Sequence, residues 1–309
     1  MNANVAVFTE DAKIFDHLKE SAVGTPFNLQ LNPDLSEIKD DAFIIADQAS
    51  FLDHLEKFEG IKKNYLYILS YGTDEDNMDF IQRYGLHHLV GVNPGIYGAE
   101  VLTYLKKTYE KKVWGLENHL ASDAEIKILS LSDSRNTNEM VNDALKHFDF
   151  NEYFSSPVEY VQVMANELIS NSLYKGPNRK RSEVGLDSPD RKSPVFLKGA
   201  DLVQVSLGMD KNGLALSVQD SFGGLTYDLL IKSLKRSFEE KTPMEKKDGA
   251  GLGLYLTFLH SNQFIVNFKE NFRTEVVCVI EKNKRYKNYK QRIRSFHFFQ
   301  EVSSEKTNH

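Results

Sequence analysis

At 309 residues, 41% of them hydrophobic and 27% charged, the chain is long enough for two domains, each with its own core. The net charge of −6 is unevenly shared: residues 1–120 carry 19 acidic and 11 basic side chains, the remainder 25 and 27, which supports a division into two parts. No apolar run approaches the roughly 20 residues of a membrane span, and MNANVAVFTEDAK lacks the basic and long apolar regions of a secretory signal. The single Cys278, in the strand-like run EVVCVIE, reads as a buried core thiol in a protein of the reducing cytoplasm.

Residues 4–110 alternate apolar runs with amphipathic stretches. NVAVF, FNLQL, AFIIAD, YLYILS and HHLVGV read as strands; AKIFDHLKE, FLDHLEKF, MDFIQRYG and AEVLTYLKKTYEKK read as the helices between and after them. That rhythm predicts an α/β domain over residues 1–120 built on a doubly wound parallel sheet. Leu102, Leu105, Tyr109 and Val113 stand at helical spacing, so the last helix is expected to continue towards Trp114 and Leu116 as a connector. Its apolar stripe would suit a homodimer as well as packing onto its own domain.

A second domain is expected over residues 121–309. AEIKILSL is strand-like, TNEMVNDALKHF helical, and SSPVEYVQVMANELISNSLYKG a long helix with Ser156 as N-cap and Pro157 in its first position. A polar loop over 176–194 precedes the strands DLVQVSLGMD and GLALSVQD, joined by a KNG turn. Then come FGGL, a helix over about 226–238, a charged loop, a second helix and the strand EVVCVIE. The segment 282–294, KNKRYKNYKQRIR, has seven basic residues and no acidic one. Its cations and interleaved Tyr286 and Tyr289 could touch nucleic acid or anionic lipid. A solvated strand or tail is the preferred reading, and nucleic acid is not expected as a partner.

DGAGLGLYLTF holds the densest glycine cluster. Gly249, Gly251 and Gly253 fit neither the dinucleotide fingerprint, which follows a strand, nor the phosphate loop with its Lys-Ser or Lys-Thr. A helix start free of Cβ atoms can still cradle an anion. In ANELISNSLYKGP, Glu167 and Asn171 stand one above the other on a helix face, with Val161, Met164 and Leu168 as the neighbouring buried stripe. An Asn oxygen can ligate Mg²⁺, and a carboxylate one turn away can deprotonate a hydroxyl. In VQDSFGGL, Asp220 ends a strand before a glycine turn, where it could accept from an exocyclic amine or simply start the turn.

In this order the three motifs resemble the ATP-binding boxes of the gyrase, heat-shock chaperone, histidine kinase and mismatch-repair ATPase superfamily, over about residues 122–281. ELISNSLYKG is similar to the asparagine helix of the anti-sigma-factor serine kinases. The resemblance implies an α/β sandwich with a mixed sheet, binding ATP and Mg²⁺. In it Glu167 would be the catalytic base and Asn171 the Mg²⁺ ligand. Lys175 would approach the phosphates, Asp220 with Gly224 would hold the adenine, and Gly249, Gly251, Leu252 and Gly253 would line the phosphates beneath a lid at 226–247. Thr274 would be the threonine of the last box. Phe222 and Arg273 stand where the family has glycines, and His119 is the nearest candidate by position for a phosphorylated histidine.

Residues 1–120 resemble a response-regulator receiver domain. Asp47, ending AFIIAD, stands at the phosphoacceptor position, and Ser70 matches the usual Ser/Thr. The acidic pair would be Thr9 and Glu10, with Asp11 beyond, and Asn93 replaces the expected Lys, so Asp47 is expected to be phosphorylated poorly or not at all. The combined expectation is an ATP-binding signalling protein of two-component type, a kinase-like ATPase module coupled to a degenerate receiver and acting on a protein partner. A non-catalytic module, gated by nucleotide and read by a partner, is the alternative.

Overall fold

The computed structural model describes residues 3–39, 42–175, 194–239 and 252–301. The chain divides into two compact units, Met1–Val113 with Arg292–His297, and Trp114–Gln291 with Phe298–His309. The architecture is α/β, with parallel and antiparallel strands and, among the described residues, ten α-helices.

In the first unit β1 (Ala3–Phe8), β2 (Phe27–Leu31), β3 (Phe43–Asp47), β4 (Leu66–Ser70) and β5 (His88–Gly91) form a parallel sheet in the order β2-β1-β3-β4-β5. Val5, Val7, Ile44, Ile45, Ile68 and Leu89 are fully buried. Such continuous apolar runs belong to strands covered on both faces. The helices are α1 (Ala12–Ser21), α2 (Gln48–Asp53), α3 (Leu55–Phe58), α4 (Asp74–Tyr84) and α5 (Tyr97–Tyr109). FLDHLEKF, expected as one helix, is broken at His54 into α2 and α3. α4 opens on a reciprocal Thr73/Asp76 cap and closes on Gly85, whose φ of 59° a glycine adopts at no cost.

Two features of this unit depart from expectation. α5 stops at Tyr109 rather than running on as a connector: Lys111 turns to a φ of 56° and Gly115 to 100°, both incompatible with a continuing helix. The chain also returns at its other end, where β11 (Ser295–Gln300) pairs antiparallel with β5, Phe296 opposite Leu89 and His297 opposite His88. The sequence reading assigns no strand to SFHFFQ.

In the second unit β6 (Glu125–Leu131), β7 (Val203–Met209), β8 (Gly213–Asp220), β9 (Gln263–Lys269) and β10 (Arg273–Glu281) lie in the order β9-β10-β8-β7-β6, with antiparallel neighbours throughout. β9, QFIVNFK, has no counterpart among the strands expected from the sequence; it pairs along the edge of β10 away from β8. The helices are α6 (Thr137–Leu145), α7 (Pro157–Ser170), α8 (Tyr227–Glu239), α9 (Leu252–Leu259) and α10 (Tyr286–Lys290). α7 buries Val161, Met164 and Leu168, α8 buries Leu230 and Leu234, and α9 buries Leu254 and Phe258. Cys278 is fully buried on β10, and burial pushes its thiol well above the ordinary range. Among the described residues no helix is long and apolar enough to cross a membrane.

Candidate functional site

α7 begins at Pro157, which lacks only an N–H that a first turn leaves unpaired anyway. Ser156 stands at the N-cap position, but its side chain makes no capping hydrogen bond. The buried stripe fixes the rotation of the helix and brings Glu167, half-buried, to the side of α9. Gly253 lies there in the first turn of α9, and a Cβ on it would overlap the Glu167 carboxyl. The carboxylate of the first motif and a glycine of the third therefore meet, although 86 residues separate them in the numbering of the chain.

After Ser170 the helix widens into a single π-turn, Asn171–Lys175. Such turns are rare and are often found where function needs a displaced side chain. Both polar atoms of the Asn171 side chain are buried, and neither has a hydrogen-bond partner among the described residues. The next residue, Ser172, is buried and donates its hydroxyl to Asp220 Oδ2 at 3.3 Å. This contact joins the first motif to the second. Nothing in the local sequence marks Ser172 except its place beside Asn171.

Asp220 ends β8. Its Oδ1 accepts the N–H of Phe222 at 2.9 Å and that of Gly223 at 3.4 Å, closing the turn in the manner of an Asx motif. Burial pushes its carboxyl up to about 6, against the hydrogen bonds from Phe222, Gly223, Ser172 and Thr274, which favour the ionised form. The two glycines that follow have different tasks. Gly223 has a φ of 59°, and a Cβ there would run into the backbone of Lys269, Asn271 and Phe272. A Cβ on Gly224 would meet nothing within 4 Å. The Phe222 ring is buried in the body of the unit.

Thr274 stands opposite Asp220 in the β10–β8 register. It is buried, and its hydroxyl has no partner among the described residues. Its neighbours face other surroundings. Glu275 accepts from Ser217 at 2.7 Å, Asn267 at 2.8 Å and the Gly115 N–H at 3.0 Å. Arg273 lies over the Trp114 ring at 5.0 Å, which accounts for an Arg where the resemblance calls for glycine.

Glu167 with Gly253, Asn171 with Ser172, and Asp220 with Thr274 and Gly224 thus gather on α7, α9 and the ends of β8 and β10. Leu252 begins α9 and is exposed. Lys175 closes the π-turn by its backbone. Gly249 and Gly251 lie outside the described residues, as do 240–247 of the expected lid and 176–193 of the polar loop.

In the first unit the carboxylate of Asp47 is already engaged: it accepts the Ser50 N–H at 2.8 Å and caps α2. Asp11 caps α1 in the same way, through the Lys13 N–H at 2.9 Å. Ser70 is buried, accepts the Gly72 N–H at 3.0 Å and donates to Asn77. Asn93, standing where a cation was expected, instead holds the returning chain: it donates to Ile293 O at 2.8 Å and accepts from Ile293 N at 3.0 Å. Among the described residues no group of three or more His, Cys, Asp and Glu side chains is placed to share a metal ion. His119 sits half-buried at the end of a short 3₁₀ turn. No protein-family model matches the chain, and no curated protein matches it.

Proposed function

We propose that this chain is an ATP-binding signalling protein whose second unit holds the nucleotide at the ends of α7, α9, β8 and β10, in the manner of the ATPase superfamily that its motifs resemble. The supporting observation is that buried polar atoms of Asn171 and Thr274 have no partner among the described residues. A buried polar group without a partner costs about 1–3 kcal/mol, which a ligand that completes it recovers. Here the orphans are the amide of Asn171, suited to a hard cation bridging phosphates, and the hydroxyl of Thr274, in register with Asp220.

Each residue then has a chemical task. Asn171 would hold Mg²⁺, which offsets phosphate charge when bound. Asp220 would accept from the adenine amine, with its free-state proton surrendered as that donor arrives. Glu167 would take the proton of an attacking hydroxyl of a protein or of water, the γ-phosphoryl passing to that oxygen and ADP leaving. Gly224 would let the nucleotide approach the backbone, and Gly253 leaves room for the Glu167 carboxyl. Unit 1 would serve as a receiver-like module for protein contacts.

A second reading, a nucleotide-gated module without phosphoryl transfer, is favoured by one observation in unit 1. Asp47 caps α2 and Asn93 clamps Ile293, at the positions where a receiver carries its phosphoacceptor and its cation. The test is a titration of a fluorescent ATP analogue with Mg²⁺, followed by γ-labelled ATP turnover. Binding lost in Asn171→Ala, and transfer lost in Glu167→Ala with binding kept, are expected. Binding lost in Asn171→Ala without turnover under any condition leaves the gated module, and no saturable binding removes both readings.

A further inference from the structure

The basic run 282–294 divides between two roles. Arg292 and Arg294 belong to unit 1, where Arg294 is buried in an ion pair with Asp74. Lys282, Lys284, Arg285, Lys287 and Lys290 belong to unit 2 and are all exposed, on or just before α10. They stand on a fixed base rather than a tail. The Lys282 N–H donates to Asn212 O at 2.8 Å, and the Arg285 N–H to Asn283 Oδ1 at 3.0 Å. On the inner side of α10, Tyr289 is buried, stacks on Phe154 at 4.4 Å and donates its hydroxyl to His260 O at 2.9 Å.

Lys284 pairs with Glu152; among the described residues no acid pairs with Lys282, Arg285, Lys287 or Lys290. No acidic residue occurs between Lys282 and Gln300. Amid these cations stands Tyr286, 45% exposed, its hydroxyl accepting from Tyr160 at 3.0 Å. Asn288 and Gln291, exposed on the same segment, are amides, and Glu152 is the acid that reaches its edge, at Lys284.

Contrary to the expectation from sequence alone, we propose that this platform binds single-stranded nucleic acid, the cations neutralising successive phosphates and the Tyr286 ring stacking on an unpaired base. Cations, amides and one open aromatic ring are the complement of a phosphate, sugar and base polymer. A lipid surface would ask for a set of inserting apolar side chains, which the platform lacks. With the whole chain at −6, the attraction is local and must be strongly screened by salt.

The test uses the full chain and a 5′-fluorescein-labelled 20-nucleotide strand of mixed sequence, as RNA and as DNA, read by anisotropy. If five phosphates are neutralised, affinity falls about 100-fold between 50 and 200 mM NaCl. Tyr286→Ala is expected to weaken binding about tenfold, the worth of one stacked base. The pair Lys287→Glu and Lys290→Glu is expected to weaken it at least as much, with Lys287→Gln and Lys290→Gln as a milder second pair should the first lower the melting temperature. Neither set should alter Mg-ATP binding, so failure here is distinguishable from failure of the ATP reading. The difference between the RNA and DNA arms identifies the strand preferred. Absence of saturable binding at 50 mM NaCl would overturn the proposal, as would affinity indifferent to both charge variants. Equal binding to polyglutamate, or to vesicles rich in phosphatidylserine, would assign the platform to an acidic protein or a membrane and equally overturn it.

Discussion

The carboxyl of Glu167 occupies the place where a side chain at residue 253 would begin. Gly253 is therefore required by its neighbour rather than by its own backbone, which has no positive φ. Gly253→Ala must push the carboxyl aside or part α7 from α9, and overpacking of this kind costs about 1–3 kcal/mol. A fall in the urea midpoint is expected, together with loss of any γ-phosphate transfer that depends on Glu167. Shortening the partner relieves the clash, so Glu167→Ala with Gly253→Ala should be more stable than Gly253→Ala alone. Additive effects in that double-mutant cycle would show that the two residues do not touch.

Gly223 and Gly224 are adjacent yet should respond in opposite ways. Alanine at 223 meets backbone atoms of the β9–β10 turn from a left-handed conformation, and a cost of roughly 2–3 kcal/mol in unfolding free energy is expected. Alanine at 224 enters open space, so stability should stay within about 0.5 kcal/mol. If Gly224 borders the nucleotide, its variant loses affinity for Mg-ATP while melting normally. A Gly224→Ala protein that binds as wild type would remove that glycine from the site.

The sequence carried what is local. The apolar runs of β1, β3 and β4 announce themselves, and α7 is legible from Pro157 and the Val161, Met164 and Leu168 stripe. Features set by distant partners were not legible. The break after Tyr109 ends at Gly115, whose N–H is held by Glu275, and nothing near residue 115 signals that acceptor. Asn93 looks like a lost cation until Ile293 is beside it. SFHFFQ and QFIVNFK alternate or run apolar over too few residues to be separated from a helix or loop. Of the site, Glu167 and Asn171 follow from helix periodicity, whereas the Ser172–Asp220 bond depends on a π-turn that no local pattern foretells.

Asp220 gives the site a pH dependence. Its carboxyl is raised from 3.8 to about 6 because burial disfavours the charge. The folded chain holds this proton better than the unfolded one, so the group's stability is fully present below 3.8 and is lost as pH rises through about 6. The loss is at most about 3 kcal/mol. Asp220→Asn keeps an oxygen for the Phe222 and Gly223 N–H groups and has no charge to bury. Relative to wild type it should gain stability between pH 4 and 6.5 while losing affinity for Mg-ATP. In the wild type that affinity should rise from pH 5 to 7, as the carboxylate becomes available to accept. Parallel stability curves for the two proteins would refute the assignment.

The buried histidines of unit 1 titrate with the opposite sign. His88 Nδ1 lies 3.3 Å from His297 Nδ1, and His297 Nε2 lies 3.2 Å from Glu100 Oε1. If His297 donates through Nε2 to Glu100, its Nδ1 accepts and His88 is the donor between the rings, a chain that requires both imidazoles neutral. Burial holds both well below 6.5; His297 lowers His88 further, and Lys107, itself buried, lowers both. Folded values below the unfolded one mean that the unfolded chain binds more protons in acid. Stability is therefore full above about 6.5 and falls as pH drops below it, by up to about 1.4 kcal/mol per pH unit for each ring. The strain concentrates where β11 joins β5. Hydrogen exchange at Phe296, His297, His88 and Leu89 is expected to quicken below pH 6 before the rest of the β1–β5 sheet opens. His88→Phe, which keeps a ring to stack on Tyr67, should flatten the acid limb of stability against pH by about one proton. Exchange at these four residues that stays constant from pH 7.5 to 5 would show that the neutral pair does not secure the strand.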